Sequence, residues 1–208
     1  MTSPAATRNS NAKRWLLAKV PALRRSPSLR AALVLSVIAL LIVPENSAQP
    51  LSSPTDSQVE AAYLYKSGAF VTWPNPAPDD QFAICVLGRD PFEHTLDATI
   101  AGEAIGGKKL IATRISSPQE ASQCRILFIS SSEESRLKPV LVALNKIPVL
   151  TVSDIPDFAD RGGMIQFVLD NGRVRFQVNL ASAEQSGLVL SSQLLKVASA
   201  VKRGGGRD

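Results

Sequence analysis

Few side chains in this sequence could do covalent or redox chemistry, and they fall into small groups. Cys85 and Cys124 are the two cysteines, His94 is the single histidine, and hydroxyls cluster at Ser130-Ser131-Ser132, Ser153 beside Asp154, and Ser191-Ser192. A serine nucleophile needs a base to take its proton. With one histidine and no Gly-x-Ser-x-Gly elbow around any serine, no triad is expected. Each serine group also stands where a helix N-cap belongs. His94 has no second histidine and no cysteine pair at ligand spacing, so no metal is assigned. The run Gly102-Glu103-Ala104-Ile105-Gly106-Gly107-Lys108-Lys109 approaches a phosphate-binding loop but ends on Lys109, where magnesium needs Ser or Thr. Strand-like Leu110-Ile111-Ala112 follows it instead of a helix. The expectation is a non-enzyme without a cofactor.

The cysteines suit a staple. Cys85 sits inside the apolar run Phe82–Leu87 and Cys124 just precedes the run Arg125 to Ile129, so both belong to neighbouring or near-neighbouring strands. Bridging needs Cα atoms about 4.4 to 6.8 Å apart, which such strands provide. Two buried free thiols acting as small hydrophobes are the alternative.

The elements that position these groups alternate between strand and helix. Apolar residues Val59, Ala62, Tyr63, Ala69 and Phe70 recur at three- and four-residue steps, predicting a helix from Asp56 to about Val71, capped by Asp56 or Ser57 and stopped by Pro74. The run at 82–87 ends at Gly88, and Asp90-Pro91 supplies a cap and first-turn proline for a helix from 91 to about 99. Strands near 109–115, 125–129 and 148–152, and a helix over 133–145, continue the pattern. Asp170-Asn171-Gly172 between two apolar segments predicts a hairpin with a type I′ turn, placed as an antiparallel edge pair. Ser191 to Val201 reads as a closing helix. The fold class is α/β: one domain with a mixed, mostly parallel sheet flanked by helices and a C-terminal β-hairpin.

In such a sheet, ligands settle outside the carboxyl ends of the strands. Arg89, Asp90, Ser131, Ser153 and Asp154 should gather there, as a crevice for a small anion or amino acid. A periplasmic small-molecule sensor signalling to a membrane receptor such as a histidine kinase is the reading this crevice supports.

The first 48 residues have the three-part layout of a signal peptide: a basic region from Arg8 to Arg30, an apolar run Ala31 to Val43, and a small-residue exit at Asn46-Ser47-Ala48. The apolar run is 13 residues, against about 20 for a membrane span. A retained anchor is the weaker reading. The Arg24-Arg25 pair is followed by Ser26-Pro27, which departs from the twin-arginine pattern. The leader holds seven of the 23 Lys and Arg and one of the 18 Asp and Glu, leaving 16 against 17. The exported part is near neutral, so the basic pI gives no support to nucleic-acid binding. Residues 49–56 read as a flexible lead-in, 57–201 as the folded domain, and 202–208, with three successive glycines, as a disordered tail.

Five segments in order, EAAYLYKSGAFVTWP, ICVLGRDPF, KKLIATR, CRILFIS and LTVSDIPDFADRGGMIQFVLDNGRVRFQVNLASAEQSGLVLSSQLLKVA, resemble the YfiR family of exported proteins over about 57–199. The resemblance implies a non-enzymatic periplasmic regulator. It would bind the periplasmic sensory domain of an inner-membrane diguanylate cyclase and hold it inactive, lowering cyclic di-GMP. It also implies a homodimer, no membrane span after cleavage, and a disulfide at the positions of Cys85 and Cys124; a second cysteine pair found in some members is absent here. The partner surface it implies lies in the C-terminal third, here carrying Ile165, Phe167, Phe176, Gln177 and Ala183. Gln177 stands where relatives commonly have a glutamate. In a hairpin strand Phe176 and Val178 fill the core while Gln177 faces the other way.

Overall fold

The computed structural model describes residues 54–75 and 80–204. The expected signal peptide, the lead-in as far as residue 53, and residues 205–208 of the expected tail lie outside the described residues.

Helix α1 spans Asp56–Gly68. Its cap is Thr55, one residue earlier than expected: the Thr55 hydroxyl accepts from Gln58 N–H at 3.3 Å while Gln58 Oε1 accepts from Thr55 N–H at 2.9 Å. This reciprocal box satisfies two N–H groups that a helix start leaves open. Strands β1 (Val71–Thr72) and β2 (Gln81–Leu87) follow, then helix α2 (His94–Ile100). The expected start of α2 near Pro91 moves on because Asp90 Oδ1 accepts from Phe92 N–H at 2.8 Å, which makes a turn of Asp90-Pro91-Phe92 before the helix. Strands β3 (Ala104–Ile105) and β4 (Lys108–Ile115) form a hairpin, and a 3-10 helix, Pro118–Gln123, leads to β5 (Ile126–Ile129).

The helix expected over 133–145 is two pieces, a 3-10 segment Ser131–Arg136 and helix α3, Leu137–Ala143. Strands β6 (Leu150–Ser153), β7 (Ile165–Asp170) and β8 (Arg173–Asn179), helix α4 (Leu180–Gln185), strand β9 (Val189–Leu190), helix α5 (Ser192–Val197) and strand β10 (Ala200–Lys202) complete the chain. The closing helix is thus shorter than expected. Its last turn gives way to β10, whose final residue, Lys202, pairs with Asp160 at 2.7 Å.

The main sheet has eight strands in the order β10-β8-β7-β6-β5-β2-β4-β3. All pairings from β7 through β4 are parallel, whereas β7–β8 and β3–β4 are antiparallel. The β7–β8 turn matches its sequence signal, with Asn171 and Gly172 both at positive φ, 49° and 70°. The hairpin is not the sheet edge, however. β10 adds beyond it, parallel to β8, with Ser199 N–H and hydroxyl both donating to Phe176 O. A separate ribbon pairs β1 with β9, and Ser191 N–H donates to Phe70 O at 2.8 Å, tying the end of α1 to the start of α5.

Central strands bury both faces, as near-continuous apolar runs must in a parallel sheet. On one face Phe82, Ile84, Val86, Ile126 and Phe128 pack with Leu64 of α1 and Leu96 of α2. On the other, Leu87, Leu127 and Ile129 pack with Leu137 and Val140 of α3 and with Phe158. Cys85 and Cys124 belong to this second core and form a disulfide, with Cα atoms 5.9 Å apart. It ties β2 to the segment entering its parallel neighbour β5.

Candidate functional site

Strand order reverses between β2 and β5, the place where a doubly wound sheet opens a crevice at its carboxyl end. Gly88 follows β2 there and Ser130 follows β5. The chain fills this crevice itself. Ser132 Oγ accepts from Arg89 N–H at 2.9 Å and lies 3.2 Å from Ser130 Oγ, and a Cβ on Gly88 would come within 2.5 Å of that Ser132 oxygen. Gly88 has φ +90°, so glycine satisfies both the turn and the close approach. Glu133 is buried beside it and pairs with Arg136.

The other crevice residues are similarly engaged. Ser153 is fully buried; its hydroxyl donates to Ile129 O at 2.6 Å and accepts from Ile155 N–H at 3.0 Å. Asp90 pairs with Arg114 at 2.6 Å, and Arg114 also holds Asp97, keeping the Asp97 carboxyl below its ordinary value. Arg89 and Ser131 are exposed. Asp154 differs from the rest: its Oδ1 is buried with no hydrogen-bond partner among the described residues. Burial pushes its carboxyl up. Glu60 on α1 feels it, being raised to about 7 by burial first, then by the charges of Asp154 and Asp56. Among the described residues no group of three or more His, Cys, Asp or Glu side chains could hold a metal ion.

A different concavity is apolar. Between α1, the β6–β8 face and α5 lies a cleft of about 150 Å³ walled by Tyr63, Phe70, Ile165, Phe167, Phe176 and Val197. The Tyr63 ring meets Phe176 edge-on at 5.6 Å and Phe167 at 6.4 Å, so α1 is seated by aromatic contacts across the hairpin. Phe70 and Val197 stand at its mouth, 37% and 63% exposed.

Three of the five residues expected to meet a partner, Ile165, Phe167 and Phe176, therefore line one cleft. The structure does not bring the other two there. Gln177 pairs in register with Gln166 on the opposite face of the hairpin, as strand alternation dictates. Ala183 is fully buried in α4.

Sequence patterns missed Phe70 and Val197 as a pair, because they are 127 positions apart and are brought together by the β1–β9 ribbon and the Ser191–Phe70 backbone bond. Arg125 was also missed as anything but the start of a strand. It is 7% exposed and its guanidinium lies 5.7 Å from the centre of the Trp73 ring.

Among the described residues no helix is long and apolar enough to cross a membrane. Solved structures similar to this chain include a conserved domain protein from Vibrio cholerae O1 biovar El Tor, at 15% identity and TM-score 0.48. They also include an ABC domain from Streptococcus pneumonia in complex with L-Trp, at 12% identity and TM-score 0.47. The matches cover 72% and 70% of this chain, and this chain spans 60% of the length of each of those. A family model described as YfiR/HmsC-like matches residues 57–199, which runs from the second residue of α1 through α5. On that match the chain belongs to the YfiR/HmsC-like family.

Proposed function

We propose that this protein is a non-enzymatic periplasmic regulator that binds the periplasmic sensory domain of an inner-membrane diguanylate cyclase and represses it, lowering cyclic di-GMP. The family, whose members are regulatory and non-catalytic, supports the regulatory role. The observation that carries the contact is the apolar cleft under Phe70 and Val197, floored by Ile165, Phe167 and Phe176. Apolar side chains left at the rim of a preformed concavity favour an inserted apolar anchor from a partner, and such buried anchors carry most of the energy of an interface. The ligand-crevice reading has less support, since Ser130, Ser132 and Ser153 spend their hydroxyls on the chain itself.

Export behind a cleaved leader and a homodimer belong to the same proposal. Direct binding tests it: the full chain is immobilised and the periplasmic domain of each inner-membrane diguanylate cyclase of the same organism is passed over it. Saturable binding, lost in the presence of excess free chain, is the expected result. No binding to any membrane cyclase of the same organism would overturn the contact.

A further inference from the structure

Arg125 immediately precedes β5, at the amino end of the sheet, on the far side from the filled switch-point crevice. The residue is 7% exposed, yet among the described residues its side chain makes one hydrogen bond, from Nη2 to the carbonyl oxygen of Asn75 at 3.0 Å, and no ion pair. A buried guanidinium is normally balanced by a carboxylate or phosphate, because removing a charge from water is costly without a counter-charge. Here the nearest aromatic partner is Trp73, whose ring face supplies only a partial negative potential. Burial pulls the Arg125 guanidinium below its ordinary value, in keeping with the lack of an ion-pair partner among the described residues.

Arg125 lines a cavity of about 390 Å³ together with Asn75, Ser122, Gln123, Lys146 and Pro148. None of its described lining residues is acidic. Lys146 brings a second cation to the rim, from a backbone held at φ 70°, a conformation that a lysine seldom adopts. Asn75, Ser122 and Gln123 add neutral hydrogen-bonding groups. Two cations, neutral donors and a volume within the range of small-molecule sites form a complementary set for an oxyanion.

We propose that this cavity is a binding site for a small anionic molecule, whose carboxylate or phosphate group pairs with Arg125 and Lys146 next to the Cys85–Cys124 disulfide. The site is independent of the cyclase contact: it sits at the opposite end of the strands from the residues expected to bind ligand, and none of its residues lines the apolar cleft.

The test is isothermal titration of the full chain with inorganic phosphate and, separately, with succinate, at low ionic strength. Saturable binding of one probe per chain is expected, and the stronger probe identifies the head group. Trp73 gives a second readout, since an anion on Arg125 alters the field on the indole; Trp15→Phe leaves Trp73 as the only tryptophan. Arg125→Gln is expected to weaken binding by about tenfold or more, as a charge-assisted bond is lost. Lys146→Ala, at an exposed position, is expected to weaken it severalfold without touching the fold, which keeps the test open if Arg125→Gln unfolds. No saturable binding of either probe at millimolar concentration overturns the proposal. So does binding that neither substitution alters, which would mark an adventitious site elsewhere.

Discussion

The ring of Tyr63 meets that of Phe176 edge-on at 5.6 Å, fastening α1 across the β7–β8 hairpin. With the Tyr63–Phe167 contact at 6.4 Å and Leu64 in the core, it seats the helix beside the cleft that Tyr63, Phe70, Phe176 and Val197 line.

If the cleft receives a partner's apolar anchor, a charge at its mouth should block docking while leaving the fold intact. Val197 is 63% exposed, so Val197→Asp should shift stability by no more than about 0.5 kcal/mol. Affinity for the cyclase domain should fall by about tenfold or more. Paired thermal unfolding and binding curves separate the two effects, and unchanged affinity would place the interface elsewhere.

The disulfide should stabilise the domain by closing a loop with a sequence separation of 39. Chain-entropy arithmetic for such a loop gives about 4 kcal/mol. Urea unfolding with and without reductant measures the difference. A loss below about 1 kcal/mol would mean that the packing around Cys85 and Cys124 holds β2 to β5 unaided.

Glu60 should make stability depend on pH. Burial and the carboxylates of Asp154 and Asp56 raise its carboxyl from 4.5 to about 7, so the folded state holds this proton more tightly than the unfolded state. Its contribution is therefore most favourable at acid pH, declines as pH rises from 4.5 through about 7, and is smallest above that. Glu60→Gln should gain about 1 to 2 kcal/mol near pH 8, allowing for solvent screening of a partly exposed group, and almost nothing at acid pH. Equal changes at both pH values would show that the carboxyl does not titrate in this way.

Gly163 has no room for a side chain, since a Cβ there would fall within the ring of fully buried Phe158. Gly163→Ala should cost about 3 kcal/mol through displacement of that ring. Gly172→Ala, where a Cβ meets nothing, provides the comparison for a glycine kept by φ alone. A loss at Gly163 no larger than at Gly172 would refute the packing argument.

The parallel strands are legible because burial on both faces demands unbroken apolar runs, which Phe82–Leu87 and Ile126–Ile129 provide. The β7–β8 hairpin is legible because Asn171-Gly172 accepts two positive φ angles. β10 is not, because Leu194, Leu195 and Val201 keep a helical rhythm and only an extended turn at Ala198, with ψ 140°, breaks it without Gly or Pro. The site divides in the same way. Local strand alternation already separates Phe176 from Gln177, whereas the sharing of one cleft by Phe70 and Val197, and the burial of Arg125 without an acidic partner among the described residues, arise from strand pairings that leave no periodic trace.

The central claim is repression, and cyclic di-GMP in intact cells reads it most directly. It should be measured with the gene present, deleted, and restored as the full chain or as Val197→Asp. Deletion should raise cyclic di-GMP, the full chain should bring it back down, and Val197→Asp should fail to do so despite normal accumulation. Unchanged cyclic di-GMP on deletion, in cells that express a membrane cyclase with a periplasmic domain, would contradict the account.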